Sequence, residues 1–172
     1  MKTIGIVGGV AWPSSIAYYR AINELVAQRL GGLHCADLVL AQTDFEQIER
    51  SQREGRWDLA GDLLAAQGNK LKAAGADFFL LACNTVHTAS DHVEKAVDLP
   101  FLHIVDPAAR QVLARGFHTV GLLGSFASRC STSAKTVASS QGEWIRRHRG
   151  TCDEVRRLLD WADDRAVAAA GQ

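Results

Sequence analysis

The stretch Phe78–His87, which reads FFLLACNTVH, decides the fold of this chain. An apolar run ends at Cys83, polar Asn84 and Thr85 follow, and a helical spacing of apolar residues then begins at Val86. This order is typical of a buried parallel strand that runs into a helix. At such a junction the carboxyl end of the strand meets the free N–H groups of the helix, which can bind an anionic group. The same N–H groups favour a thiolate over a thiol, so Cys83 is a candidate base.

Cys83 also has a purely structural explanation. Free cysteine is among the residue types most often buried, and it can close a strand as a small apolar side chain. The polar pair Asn84 and Thr85 directly after it favours the functional interpretation.

Strand-like and helix-like patterns alternate from Met1 to Gly124, which predicts a parallel α/β sheet flanked by helices. We expect one long helix to follow the third strand over Thr85–Val97. The helix after the first strand is expected to carry an apolar face formed by Ile16, Tyr19, Ile22, Val26 and Leu30. The predicted strands are Thr3–Val7, Ala36–Gln42, Asp77–Cys83, Phe101–Val105 and Thr119–Leu123.

A glycine turn follows the first predicted strand, at Gly8 and Gly9, and Pro13 or the two serines after it can open a helix. The sequence GGVAWP lacks the GxGxxG spacing of dinucleotide-binding turns. A nucleotide-binding domain is therefore a weak third interpretation. Spacing alone leaves open whether this turn contacts a ligand or only packs.

The composition indicates a soluble globular protein without a polyanionic partner. Of 172 residues, 47% are hydrophobic and 22% charged, and Lys plus Arg equals Asp plus Glu at 19 each. We expect no nucleic-acid partner, because no net positive charge favours one. No apolar run approaches the ~20 residues of a membrane helix, and no signal-peptide pattern opens the chain. The predicted location is cytoplasmic.

The cysteines and histidines do not predict a metal site. The four cysteines form no CxxC pair, and we expect free thiols in a reducing cytoplasm. His87 and His92 are five residues apart on one predicted helix, so they lie on different faces, and both are expected to face solvent.

With these motifs placed, the chain resembles the aspartate/glutamate racemase family, whose members invert amino acids without a cofactor. The resemblance covers roughly the first three quarters of the chain. The matching segments are GGVAWPSSIAYYRAIN at Gly8–Asn23, TDFEQIE at Thr43–Glu49, GADFFLLACNTVH at Gly75–His87, LHIVD at Leu102–Asp106 and VGLLGS at Val120–Ser125.

The resemblance implies a fold of two similar α/β halves that face each other across a cleft, each supplying one cysteine. It implies that Cys83 is the catalytic cysteine of the first half, and that Asn84 and Thr85 hold the α-carboxylate of a small amino-acid substrate. Neither a metal nor another cofactor is implied, and a homodimer is common for such folds. The remaining substrate-binding residues implied are Gly9, Trp12, Ser14 and Thr43.

The chain departs from the family in its last quarter. Residues 1–115 are predicted to form the first half and residues 116–172 an incomplete second half, aberrant from about residue 126. Family members carry the second cysteine after an apolar strand, whereas Cys130 and Cys152 here follow no such run. An alternative reading frame over residues 126–137 permits a family-like peptide, so a frameshift near Ser125 is our hypothesis for this tail.

Two functions from different classes therefore compete. The first is an aspartate/glutamate-type amino-acid racemase with Cys83 as one acid/base group. The second is an inactive remnant that only binds an amino-acid carboxylate. They differ in whether a second acid faces Cys83, and the sequence does not select the substrate or its hand.

Overall fold

The computed structural model describes residues 1–116, which contain a four-stranded parallel sheet with helices on both faces. The strands are β1 (Ile4–Gly8), β2 (Leu38–Gln42), β3 (Phe78–Leu81) and β4 (Phe101–Leu102). The helices are α1 (Trp12–Leu30), α2 (Phe45–Arg53), α3 (Trp57–Ala73), α4 (Ser90–Ala96) and α5 (Val105–Ala114), and a 3-10 helix spans Thr85–Ala89. The predicted parallel α/β fold is confirmed.

The strand order β2-β1-β3-β4 places β1 and β3 at the centre of this sheet. Ile4 is in register with Leu38 of β2 and with Phe78 of β3. The first β-α-β crossover therefore runs to one side of β1 and the second to the other. The point between β1 and β3 is a topological switch point, where open α/β sheets bind ligands beyond the carboxyl ends of their strands.

Alternating side chains divide the core between the two faces of the sheet. On one face Val7, Phe79 and Leu81 join the larger hydrophobic cluster, which includes Leu64 of α3 and Val93 of α4. The opposite face holds a smaller cluster of Ile6, Leu80 and Ala82, with Ile4, Tyr18, Ile22 and Leu102 packed against it. Helix α1 covers this second face.

The predicted apolar face of α1 is only partly correct. Ile22 packs against the sheet, but Ile16 and Tyr19 are about half exposed, at 49% and 52%. Ser15 instead is buried, because α1 lies so close to β1 that a Cβ added at Gly8 would be 2.7 Å from the Ser15 hydroxyl oxygen. A small residue is needed at this contact, and the buried face is thereby rotated from the expected one.

One predicted helix is divided in the structure, and three predicted strands are shorter, those over Ala36–Gln42, Asp77–Cys83 and Phe101–Val105. The expected helix Thr85–Val97 is divided into the 3-10 helix and α4. The expected strand Phe101–Val105 ends at Leu102, because the backbone N–H groups of Ile104 and Val105 donate to histidine side chains instead of to a neighbouring strand.

Several sequence-based predictions lie outside the described residues. These are the fifth strand at Thr119–Leu123, the incomplete second half from residue 116, the frameshifted tail, and any role of Cys130 or Cys152. They stay predictions.

Candidate active site

The carboxyl ends of three neighbouring strands bring Gly9, Thr43 and Cys83 to one edge of the sheet. The backbone ladder continues just beyond the strands, since Thr43 N–H donates to the Gly8 carbonyl at 3.0 Å and Ala82 N–H donates to the Val7 carbonyl at 2.9 Å. The strand-to-helix junctions after β1 and β3 are therefore held side by side. This edge is where the sequence predicted a ligand.

Gly9 is buried at the first of these junctions, and its φ of 93° lies in the left-handed region that favours glycine. A Cβ added there would be 2.3 Å from the carbonyl oxygen of Thr43. Thr43 itself is only 5% exposed. The contact between Gly9 and Thr43 thus fixes the path of the backbone at the edge of the candidate site.

Two serines attach the start of α1 to the strand ends. Gly9 N–H donates to the Ser15 hydroxyl oxygen at 3.1 Å. The Ser14 hydroxyl lies 2.7 Å from the carbonyl oxygen of Ala82 and 2.8 Å from that of Ala11, and its one proton can be donated to either. Ser14 thereby links α1 to the residue directly before Cys83.

The residues predicted to do the chemistry differ in exposure. Cys83 is a partly exposed free cysteine, Asn84 is exposed and Thr85 is partly exposed. The Asn84 carbonyl oxygen accepts a hydrogen bond from His87 N–H at 3.1 Å, which fixes the backbone of this segment. A thiol, an amide and a hydroxyl are therefore consecutive and within reach of solvent.

Tyr18 is a site neighbour that the sequence analysis missed. Partial burial against the smaller cluster raises the pKa of its phenol, and the charge of Cys83 contributes in the same direction. The phenol therefore lies close enough to Cys83 to interact with it electrostatically. The only sequence signal was its position one turn after Ser14 on the buried face of α1.

His87 contradicts the prediction that it faces solvent, because it is 1% exposed. Its Nδ1 lies 2.9 Å from the carbonyl oxygen of Cys83, and Ile104 N–H donates to its Nε2 at 3.2 Å. Burial lowers the pKa of His87 from 6.5 to about 4, although the backbone carbonyl oxygens of Cys83 and Asn84 act in the opposite direction. The ring is therefore neutral at pH 7.

His92, in contrast, is exposed as expected, and its Nε2 lies 2.7 Å from a carboxylate oxygen of Asp62.

Trp12 is 62% exposed and lies in an open apolar groove instead of against Cys83. The groove runs between α1 and β2, and none of Cys83, Asn84 and Thr85 lines it. Its lining residues are Trp12, Ser15, Ile16, Tyr19, Leu40 and Gln42.

Within residues 1–116, no group of three or more His, Cys, Asp or Glu side chains is arranged to hold a metal ion. No helix in the same range is long and apolar enough to cross a membrane.

Comparisons with known proteins point to one family. Residues 7–142 match the family model for Asp/Glu/hydantoin racemases. A 43-residue segment is 37% identical to the broad specificity amino-acid racemase RacX of Bacillus subtilis, covering 25% of this chain and 19% of that protein.

Solved structures agree in fold. A candidate Asp/Glu racemase from Yersinia pestis is 39% identical with a TM-score of 0.73, over 80% of this chain and 63% of that one. An aspartate racemase homologue from Pyrococcus horikoshii is 26% identical with a TM-score of 0.72, over 87% of this chain and 69% of that one. The matched part of this chain thus spans about two thirds of the length of each.

Proposed function

The chain belongs to the Asp/Glu/hydantoin racemase family, and from that premise we propose that it inverts the α-carbon of aspartate or glutamate with Cys83 as one acid/base group. The observation that carries this proposal is the convergence of Cys83, Asn84 and Thr85 with the Gly9 turn at one edge of the sheet. Both polar residues after Cys83 reach solvent, so a ligand has access to all three side chains.

In the proposed reaction, the Cys83 thiolate removes the α-proton and becomes a thiol. The electron pair of the broken C–H bond stays on the α-carbon and is delocalised into the carboxylate. A second acid on the opposite face then gives a proton to the α-carbon, and the configuration is inverted. This exchange of protons needs no redox partner or other cofactor, so we propose a cofactor-independent reaction.

Asn84 and Thr85 are proposed to hold the substrate carboxylate through an amide N–H and a hydroxyl. Hydrogen bonds at this position strengthen as negative charge develops on the carboxylate, so they stabilise the transition state more than the substrate. Gly9, Ser14 and Thr43 are proposed to shape the same pocket. Since Ser14 holds the backbone next to Cys83, its effect on the substrate is expected to be largely indirect.

Trp12 is the proposed contact with the weakest geometric support, because it lines the groove between α1 and β2.

An inactive amino-acid-binding remnant is the alternative function. It is favoured by the lack of a strand-end context at Cys130 and Cys152 in the sequence. Such a remnant would keep the half-site at Cys83 and lack the second acid.

The test is to incubate the protein in D2O with each single enantiomer of aspartate and glutamate. Chiral chromatography measures inversion, and mass spectrometry measures deuterium at the α-carbon. A racemase gives both inversion and deuterium. Deuterium without inversion would indicate one active acid/base group, and a folded protein that binds the amino acid but gives neither would be the inactive remnant.

A further inference from the structure

His87 is buried directly beneath the candidate site, and both of its ring nitrogens have backbone partners. Nδ1 lies 2.9 Å from the carbonyl oxygen of Cys83, and Nε2 lies 3.2 Å from the backbone nitrogen of Ile104. Because a backbone N–H only donates, Nε2 must be the unprotonated acceptor. The proton of the neutral ring is then on Nδ1, where it is donated to the Cys83 carbonyl.

This side chain replaces a backbone hydrogen bond of an ordinary helix. In an α-helix the N–H of residue 87 would donate to the carbonyl of residue 83, four positions earlier. Here His87 N–H donates to the Asn84 carbonyl at 3.1 Å, and the imidazole Nδ1 instead forms the hydrogen bond to the Cys83 carbonyl. The chain therefore leaves β3 through a 3-10 helix, and the peptide between Cys83 and Asn84 is held by the His87 ring.

The ring is itself fixed from the neighbouring strand. Phe101 of β4 stacks on it with a centroid separation of 5.9 Å, and the His103 ring meets it edge-on at 4.5 Å. The bond from Ile104 N–H adds a link to the start of α5. Two adjacent strand ends, those of β3 and β4, are therefore joined through one imidazole.

We propose that His87 is a positioning residue of the racemase site, whose imidazole sets the orientation of the Cys83–Asn84 peptide and so the placement of the thiol and the carboxylate-holding amide. This role rests on the proposed function above. A merely structural histidine would stabilise the core without any specific effect on Cys83. The two ring nitrogens make these roles separable, since only Nδ1 contacts the site.

Two amide variants each keep one of the two hydrogen bonds. In His87→Asn the side-chain amide nitrogen takes the place of Nδ1 and still donates to the Cys83 carbonyl, but the acceptor for Ile104 N–H is lost. In His87→Gln the amide oxygen takes the place of Nε2 and still accepts from Ile104, but the donor to Cys83 is lost. The variants therefore form a matched pair, because each removes one hydrogen bond from the same buried position.

The first measurement is the rate at which iodoacetamide alkylates Cys83 in the folded full chain at pH 7, followed by peptide mass spectrometry. We expect His87→Gln to change this rate about five-fold or more, because the peptide that bears the thiol is released, and His87→Asn to stay within about two-fold of the wild type. Equal rates in the two variants would overturn the proposal. This readout does not depend on racemase activity.

The second measurement is α-deuterium exchange into aspartate and glutamate by the same variants. We expect kcat to fall about ten-fold or more in His87→Gln with little change in KM, and to be largely retained in His87→Asn. Losses of the same size in both variants would overturn the positioning role. If the wild type exchanges no proton, the proposed function fails, while the alkylation rates still decide the role of His87.

Discussion

At the scale of single residues, Gly9 occupies a position that admits no side chain without a shift of the neighbouring backbone. Its φ is positive, and an added Cβ would be 2.3 Å from the Thr43 carbonyl oxygen. We expect Gly9→Ala to lower the free energy of unfolding by about 3 kcal/mol, from backbone strain plus overpacking. Urea unfolding at pH 7 measures the difference.

Gly75→Ala is the matched control for this prediction. Gly75 has a similar φ of 87°, but nothing lies within 4 Å of its added Cβ. The free energy of unfolding of this variant should fall by only about 1 kcal/mol, from the strain of alanine in the left-handed region. Equal losses at Gly9 and Gly75 would show that the contact with Thr43 costs nothing.

The burial of His87 predicts a loss of stability in mild acid. The pKa of His87 is about 4 in the folded protein and 6.5 in an unfolded chain, so the unfolded state binds more protons between these values. Stability from the neutral ring is complete above pH 6.5 and falls as the pH drops toward 4. Between pH 7.5 and 5 the loss should be about 2 kcal/mol.

The measurement is the free energy of unfolding of wild type and His87→Asn by urea across this pH range. Asn does not titrate, so the advantage of the wild type should shrink by that amount as the pH falls. The ring of His103 meets that of His87 edge-on at 4.5 Å, and it is present in both proteins. Parallel pH curves would contradict the assignment of a neutral His87.

Among single residues, the sequence predicted the position of Cys83 but not the burial of His87. Cys83, Asn84 and Thr85 were selected by their place at a strand-to-helix junction, and the structure places them at such a junction. His87 was predicted to face solvent by default, within one regular helix over Thr85–Val97. A side chain that bonds to the backbone four residues earlier breaks that regularity, and apolar periodicity carries no signal of it.

At the scale of elements, α1 is attached to β3 by the Ser14 hydroxyl. We expect Ser14→Ala to destabilise the fold by about 1 to 2 kcal/mol, because the carbonyl of the buried residue Ala82 loses a donor from another element. The same variant should also lower the rate of α-deuterium exchange, since Ala82 precedes Cys83. Urea unfolding and exchange in D2O measure the two effects.

Ser51→Ala is the control, because its hydroxyl donates to the Gln47 carbonyl within the same helix, at 2.8 Å, and so joins no two elements. This variant should reduce stability without changing the exchange rate of the folded protein. An effect of Ser51→Ala on exchange as large as that of Ser14→Ala would remove the specific role of the α1–β3 link.

Sequence patterns predicted most of the elements and failed at their ends. The predicted strands over Thr3–Val7, Ala36–Gln42 and Asp77–Cys83 overlap β1, β2 and β3, because each is a predominantly apolar run. Strand β4 was predicted three residues too long. The apolar side chains of Ile104 and Val105 fit a strand or a helix start equally. Only the hydrogen bonds from their backbone N–H groups to His87 and His103 distinguish these two structures.

At the scale of the whole molecule, the described residues 1–116 form an apolar groove between α1 and the edge strand β2 that none of these residues covers. Ile16, Tyr19 and Leu40 line it and are each exposed by more than a third. Apolar patches of this kind often mark association sites. The homodimer that the family resemblance implies stays a prediction, and burial of this groove against a second copy of the chain is the form of it tested below.

Sedimentation velocity over a range of protein concentrations tests the homodimer. We expect the wild type to associate and Ile16→Lys to sediment as a smaller species, because a charge in the groove opposes its burial. Ala21→Lys adds the same charge on an exposed part of α1 outside the groove and should not change the assembly. A monomeric wild type would rule out this interface.

The overall fold was predictable because the alternation of strands and helices, together with the rule of right-handed crossovers, leaves few sheet arrangements. The two-half arrangement across a cleft stays a prediction, because the second half falls outside the described residues 1–116. The frameshift near Ser125 also stays a hypothesis, which sequencing of the gene would reject if no insertion or deletion is found.

The most direct test of the central claim is α-deuterium exchange into aspartate and glutamate by Cys83→Ser beside Cys35→Ser. Cys35 is an exposed free cysteine before the amino end of β2, whereas the candidate site is at the carboxyl ends, so its variant controls for the loss of a thiol. We predict that Cys35→Ser exchanges at the wild-type rate and that the exchange rate of Cys83→Ser is lower by at least about a hundred-fold. Exchange that persists in Cys83→Ser would contradict the assignment of Cys83 as the acid/base group of this site.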